Sequence, residues 1–68
     1  MHFGKALKKV MTQKNITPTV LVGLTGKSKQ HVNYLMNTKS VSIKTMLEIA
    51  DVLNIDYGTF LDSVLNEE

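Results

Sequence analysis

A chain of 68 residues with eight lysines, no arginine, six acidic residues, no cysteine and a formal charge of +2 reads as one small domain, covering residues 1–68. At this size only about 60% of the surface exposed by the unfolded chain is buried, so nearly every apolar residue is committed to one core and little remains to line a deep pocket. The lack of cysteine excludes a disulfide framework and a thiolate metal site, and neither the opening MHFGKALKKV nor any later stretch has the apolar run of a signal peptide or a membrane span, which predicts a soluble cytoplasmic protein.

Phe3, Ala6, Leu7, Val10 and Met11 recur at i, i+3, i+4, i+7 and i+8, the spacing of a helix that buries one stripe, with Lys5, Lys8 and Lys9 pointing away. This helix should stop near Asn15, a residue that tolerates the left-handed conformation of many helix ends. Thr17 then offers an N-cap hydroxyl and Pro18 suits the first helical position, predicting a short second helix to about Leu24 or Thr25. Gly26 supplies a tight turn. Ser28 caps a third helix over about residues 28–37, with Val32, Leu35 and Met36 on one side and Gln30, Asn33, Tyr34 and Asn37 on the other. Lys29 falls at the edge of that outward face. After a Thr/Lys/Ser loop, Ser42 caps a fourth helix expected to turn Ile43, Met46, Leu47, Ala50 and Leu53 inward and to end at Asn54. Asp56 caps a last helix carrying Phe60, Leu61, Val64 and Leu65. No strand-like alternation competes, so the chain reads as all-α, with five helices joined by loops of a few residues.

The modest net charge hides a strong asymmetry. All eight lysines precede Glu48, and all six carboxylates lie from Glu48 onward. A basic half of this kind suits a polyanion, because lysines near phosphates release condensed counterions while a distant acidic end resists clumping. Two helices joined by a glycine turn, the second with a polar outer face, form the layout of a DNA-binding helix-turn-helix. The stretch TPTVLVGLTGKSKQHVNYLMNTKS followed by IKTMLEIADVLNIDYGTFL resembles the phage-repressor/Cro type of helix-turn-helix, the XRE-like family, over about residues 3 to 62. LEIADVLNI resembles that family's helix-Ala-helix tail, and Gly26 and Val32 match its turn glycine and buried branched residue.

The resemblance implies a five-helix, lambda-repressor-like domain whose third helix enters a major groove of double-stranded DNA, and a transcriptional regulator of the Cro-like or XRE-like repressor kind. Lys29, Gln30, Asn33 and Tyr34 fall at or beside its base-reading positions, and Thr17, Lys27, Ser28, Asn37, Lys39 and Lys44 would face phosphates. It further implies a homodimer on an operator with two-fold symmetry, its half-sites about one helical turn apart, with self-contact expected around Val41, Ile55, Tyr57 and Gly58. Several positions depart from the family pattern. Val22 replaces a small alanine and should push the second and third helices slightly apart or demand local repacking. Pro18 replaces a common glutamine and removes a donor. Thr38 stands where a glycine usually follows the recognition helix. Without arginine, phosphate contacts rest on lysine point charges. Met11 and Met36 occupy the positions of a frequent Arg–Glu pair, and exchanging both members for flexible apolar side chains avoids a stranded buried charge.

His31, at the border of the buried side of its helix, has no second His, Cys or carboxylate cluster at ligand spacing, and the four methionines read as core. The sequence holds no nucleophile–base pair, glycine-rich phosphate loop or carboxylate dyad in its basic half, so no enzyme, cofactor or small-molecule substrate is expected. The competing class is a protein-interaction module, an antirepressor or antitoxin-like partner, because Val20 and Leu24, one helical turn apart, and Val52 are expected to be exposed.

Overall fold

The computed structural model describes residues 1–67. Five helices run through them, α1 (Phe3–Gln13), α2 (Pro18–Thr25), α3 (Lys29–Leu35), α4 (Ile43–Val52) and α5 (Tyr57–Leu65), with no strand among the described residues. Each helix starts where a side chain accepts from an otherwise orphaned first-turn amide. Thr17 takes the N–H of Val20, Ser28 that of His31, Ser42 that of Thr45 and Asp56 that of Thr59. The N-cap of α1, His2 accepting from the Lys5 N–H, is not foreseen from the sequence. Asn15 (φ 57°), Asn54 (φ 55°) and Gly26 (φ 70°) adopt the left-handed conformation that stops α1, α4 and α2. No helix among the described residues is long and apolar enough to cross a membrane.

The core is one cluster. Phe3, Ala6, Leu7, Val10 and Met11 of α1 are all buried, and they meet Leu21, Val32, Leu35, Met46, Ile49, Ala50, Leu53, Phe60 and Val64. Phe3 and Phe60 pack edge to face with ring centroids 5.6 Å apart, the preferred arrangement of two ring quadrupoles, and join α1 to α5. Helix α2 has one fully buried side chain, Leu21, supported by half-buried Val22 and Thr25.

In α4 and at its end Met46, Ala50 and Leu53 are buried as expected, but Ile49 completes the stripe in place of Ile43 and Leu47. Ile43 is 68% exposed and Leu47 46% exposed. Both stripes satisfy helical spacing, because this helix is apolar on more than half its circumference, and only contact with α2 and α5 selects between them. Likewise Leu65 is 56% exposed while Leu61 is half-buried, and Val52, expected outside, is half-buried against the core. Val20 and Leu24 are exposed as expected.

Candidate nucleic-acid interface

Between α2 and α3 the chain turns in three residues, and the turn is held by its own polar groups. Gly26 donates its N–H to Val22 O at 3.0 Å. The Thr25 hydroxyl donates to Leu21 O at 2.8 Å and accepts from the Lys27 N–H at 3.2 Å. With its backbone groups thus satisfied, the turn holds α3 at a fixed angle to α2. Helix α3 turns only Val32 and Leu35 inward. Lys29, Gln30, His31, Asn33 and Tyr34 are exposed.

The helix itself is shorter than the 28–37 expected. Ser28 is its cap, and regular structure ends at Leu35 because the N–H groups of Asn37 and Thr38 both turn back onto Tyr34 O, at 3.1 and 3.0 Å. The Asn37 side chain donates to Asn33 O at 2.8 Å, so one of its amide hydrogens is spent on the helix end. No left-handed residue follows α3. Thr38, where the family pattern has glycine, instead donates its hydroxyl to Ser40 O at 3.0 Å.

What fixes this loop is α1. Phe3 donates to Lys39 O and Gly4 to Thr38 O, each at 2.8 Å, and a Cβ on Gly4 would lie 2.5 Å from Met36 O and 2.6 Å from Met36 C. Glycine is therefore required at position 4 by close backbone approach. The sequence hints at this only by placing a glycine inside an otherwise regular apolar stripe.

The four expected base readers all lie on the exposed surface of α3, and three of them border a groove. Lys29, Gln30 and Asn33 rim a groove of about 560 Å³ that also takes in Pro18, Val22 and Met36, so Val22 lies in the cleft it was expected to widen. Tyr34 does not line the groove and is 57% exposed, its ring 6.1 Å from that of His31. His31 is exposed rather than at the border of the core. Among the expected phosphate-facing residues, Thr17 and Ser28 accept through their hydroxyl oxygens from Val20 and His31, which leaves each hydroxyl hydrogen for an outside acceptor. Lys39 and Lys44 are exposed.

Lys27 is different, because its ammonium lies 3.7 Å from the Glu48 carboxylate. Lys9 pairs with Glu67 in the same way. The acidic half is therefore not distant from the basic half, as the order of charges along the chain suggests: packing of α1 on α5 and of α2 on α4 folds carboxylates back against two of the lysines. Lys29, Lys39 and Lys44 have no such partner among the described residues. Of the expected self-contact residues, Val41, Ile55 and Tyr57 are half-buried against the core and Gly58 is exposed.

The family model of the Cro/C1-type HTH DNA-binding domain matches residues 6–65 of the chain. No curated protein matches it significantly in sequence.

Proposed function

Since the chain belongs to the family of Cro/C1-type helix-turn-helix DNA-binding domains, we propose that residues 1–68 act as a transcriptional regulator, a Cro-like repressor that reads a specific double-stranded sequence through the outward face of α3. The observation that carries this reading is the state of Lys29 and Gln30. Both stand exposed in the first turn of a helix anchored by the Gly26 turn, and their side chains make no hydrogen bond or ion pair among the described residues. Their donors and acceptors are free for base edges. Glutamine can pair bidentately with adenine N6 and N7, and lysine can donate to guanine O6 and N7. Each half-site is thus expected to hold one A and one G, each discriminated from the wrong base by about 1–3 kcal/mol.

Thr17, Ser28, Asn37, Lys39 and Lys44 take phosphates in this reading, and Lys27 takes one once it is released from Glu48. With so few lysines and no arginine, one copy would bind weakly, so the protein acts as a two-fold dimer assembled on its operator, through Val41, Ile55, Tyr57 and Gly58. Ile43, close to Val41 in the chain and 68% exposed, adds apolar area beside that contact.

The exposed Val20 and Leu24, 47% and 51% accessible, favour a second reading, a module that docks another regulator. A salt titration of binding to random duplex DNA separates the two. A DNA reader gives a steep linear fall of log K with log salt, about 0.9 per phosphate contacted. No binding at low salt supports the docking module.

A further inference from the structure

The groove between α2 and α3 is unusual for a surface that meets a polyanion. Its lining is predominantly apolar. The Pro18 ring and Val22 form the wall contributed by α2, and Val32 and Met36 the side contributed by α3. Val22 and Met36 are half-buried members of the core's outer layer, so these apolar surfaces are held in place by packing. The rim, by contrast, is Lys29, Gln30 and Asn33, the side chains assigned to base edges above. Whatever those three residues touch is brought to the mouth of the groove.

A base edge in the major groove has one apolar feature, the C5-methyl of thymine, and apolar side chains recognise it by contact. We propose that this groove is a thymine-methyl site, with Val22 as the specificity-determining residue, reading a thymine next to the bases bound by Lys29 and Gln30. The inference rests on the proposed DNA reading and deepens it. It assigns to α2, otherwise a support for the recognition helix, a direct part in base selection. Lys29 at the mouth complements the phosphates that flank a base, which commits the groove to DNA rather than to an apolar side chain of a protein partner. The groove is also much larger than one methyl group, which leaves room for the edge of the pyrimidine and the flank of its sugar.

The test uses the natural protein and a duplex selected from a random pool, with each thymine in turn replaced by deoxyuridine, which removes the methyl and leaves every hydrogen-bonding group. One thymine per half-site should weaken binding roughly fourfold when replaced, the size expected for one buried methyl. In Val22→Asn, which replaces both methyl groups by a polar amide of similar size, the penalty for deoxyuridine at that position should disappear. A selected half-site without thymine, or deoxyuridine tolerated at every position, overturns the methyl site and leaves the DNA reader standing. An undiminished thymine preference in Val22→Asn overturns the assignment to this groove. If no sequence is enriched from the pool, the proposed function itself fails and this inference with it.

Discussion

Replacing Gly4 by alanine tests how the recognition helix is held. The added Cβ would sit 2.5 Å from Met36 O, 2.6 Å from Met36 C and 2.9 Å from Asn37 N. Non-bonded carbon and oxygen atoms are comfortable only beyond about 3.4 Å, so the N-terminus of α1 and the loop after α3 must separate by nearly an ångström. All three obstructing atoms are backbone, and no rotamer change can relieve the contact. Overpacking of this kind costs about 1–3 kcal/mol. The separation also stretches the bonds from Phe3 and Gly4 to Lys39 O and Thr38 O, worth about 1 kcal/mol each when lost. Alanine's better helix propensity returns at most about 1 kcal/mol. The net loss is about 2–4 kcal/mol, which for a domain of this size lowers the melting temperature by roughly 10–30 °C. Thermal unfolding followed by circular dichroism reads it directly. Gly23→Ala is the control. It lies within α2, where a Cβ meets nothing within 4 Å, and should stabilise by about 0.5–1 kcal/mol. If Gly4→Ala melts at or above the wild-type temperature, α1 does not approach the loop as described and the account of how α3 is held is wrong.

Lys39→Ala should weaken binding to all DNA sequences alike and lower the salt slope by about one, whereas Gln30→Ala should flatten preference at one base pair; an equal loss on every sequence for Gln30→Ala removes it from the base readers. Glu48→Gln should tighten binding to random duplex and steepen its salt dependence by releasing Lys27, with little change in melting temperature because an exposed pair contributes about 0–1 kcal/mol; unchanged affinity shows that Lys27 does not meet phosphate. Met11 is 3% exposed, so Met11→Arg alone buries a charge and costs about 3–5 kcal/mol, part of which Met36→Glu should restore; strictly additive melting-temperature losses in the double variant mean that positions 11 and 36 do not face one another. Ile43→Glu should leave the melting temperature unchanged, since the side chain is 68% exposed, yet weaken cooperative pairing on a two-fold operator; a loss of stability instead would place Ile43 in the core.

The local rules written into this chain carried much of its architecture. Caps at Thr17, Ser28, Ser42 and Asp56 and left-handed stops at Asn15, Gly26 and Asn54 depend on residues within a few positions of each other, and each reads directly from the sequence. The stripe of α1 was equally legible, because lysines occupy its other face and leave one buried arrangement. In α4 the apolar residues cover too wide an arc. Ile43 and Leu47 compete with Ile49, and the decision belongs to helices elsewhere in the chain. The same limit hides the Lys27–Glu48 and Lys9–Glu67 pairs and the grip of Gly4 on the loop after α3. Each depends on how two helices meet, and spacing along one helix carries no record of that.

Selection of bound sequences from a randomised duplex pool, carried out in parallel with the wild type and with a Lys29→Ala, Gln30→Ala double variant, tests most directly whether the face of α3 reads DNA. The account predicts that the wild type enriches inverted half-sites about one helical turn apart, each with an adenine and a guanine, and that the double variant loses preference at those positions while still binding duplex. Enrichment of the same motif by both proteins, or of none by the wild type, would contradict it.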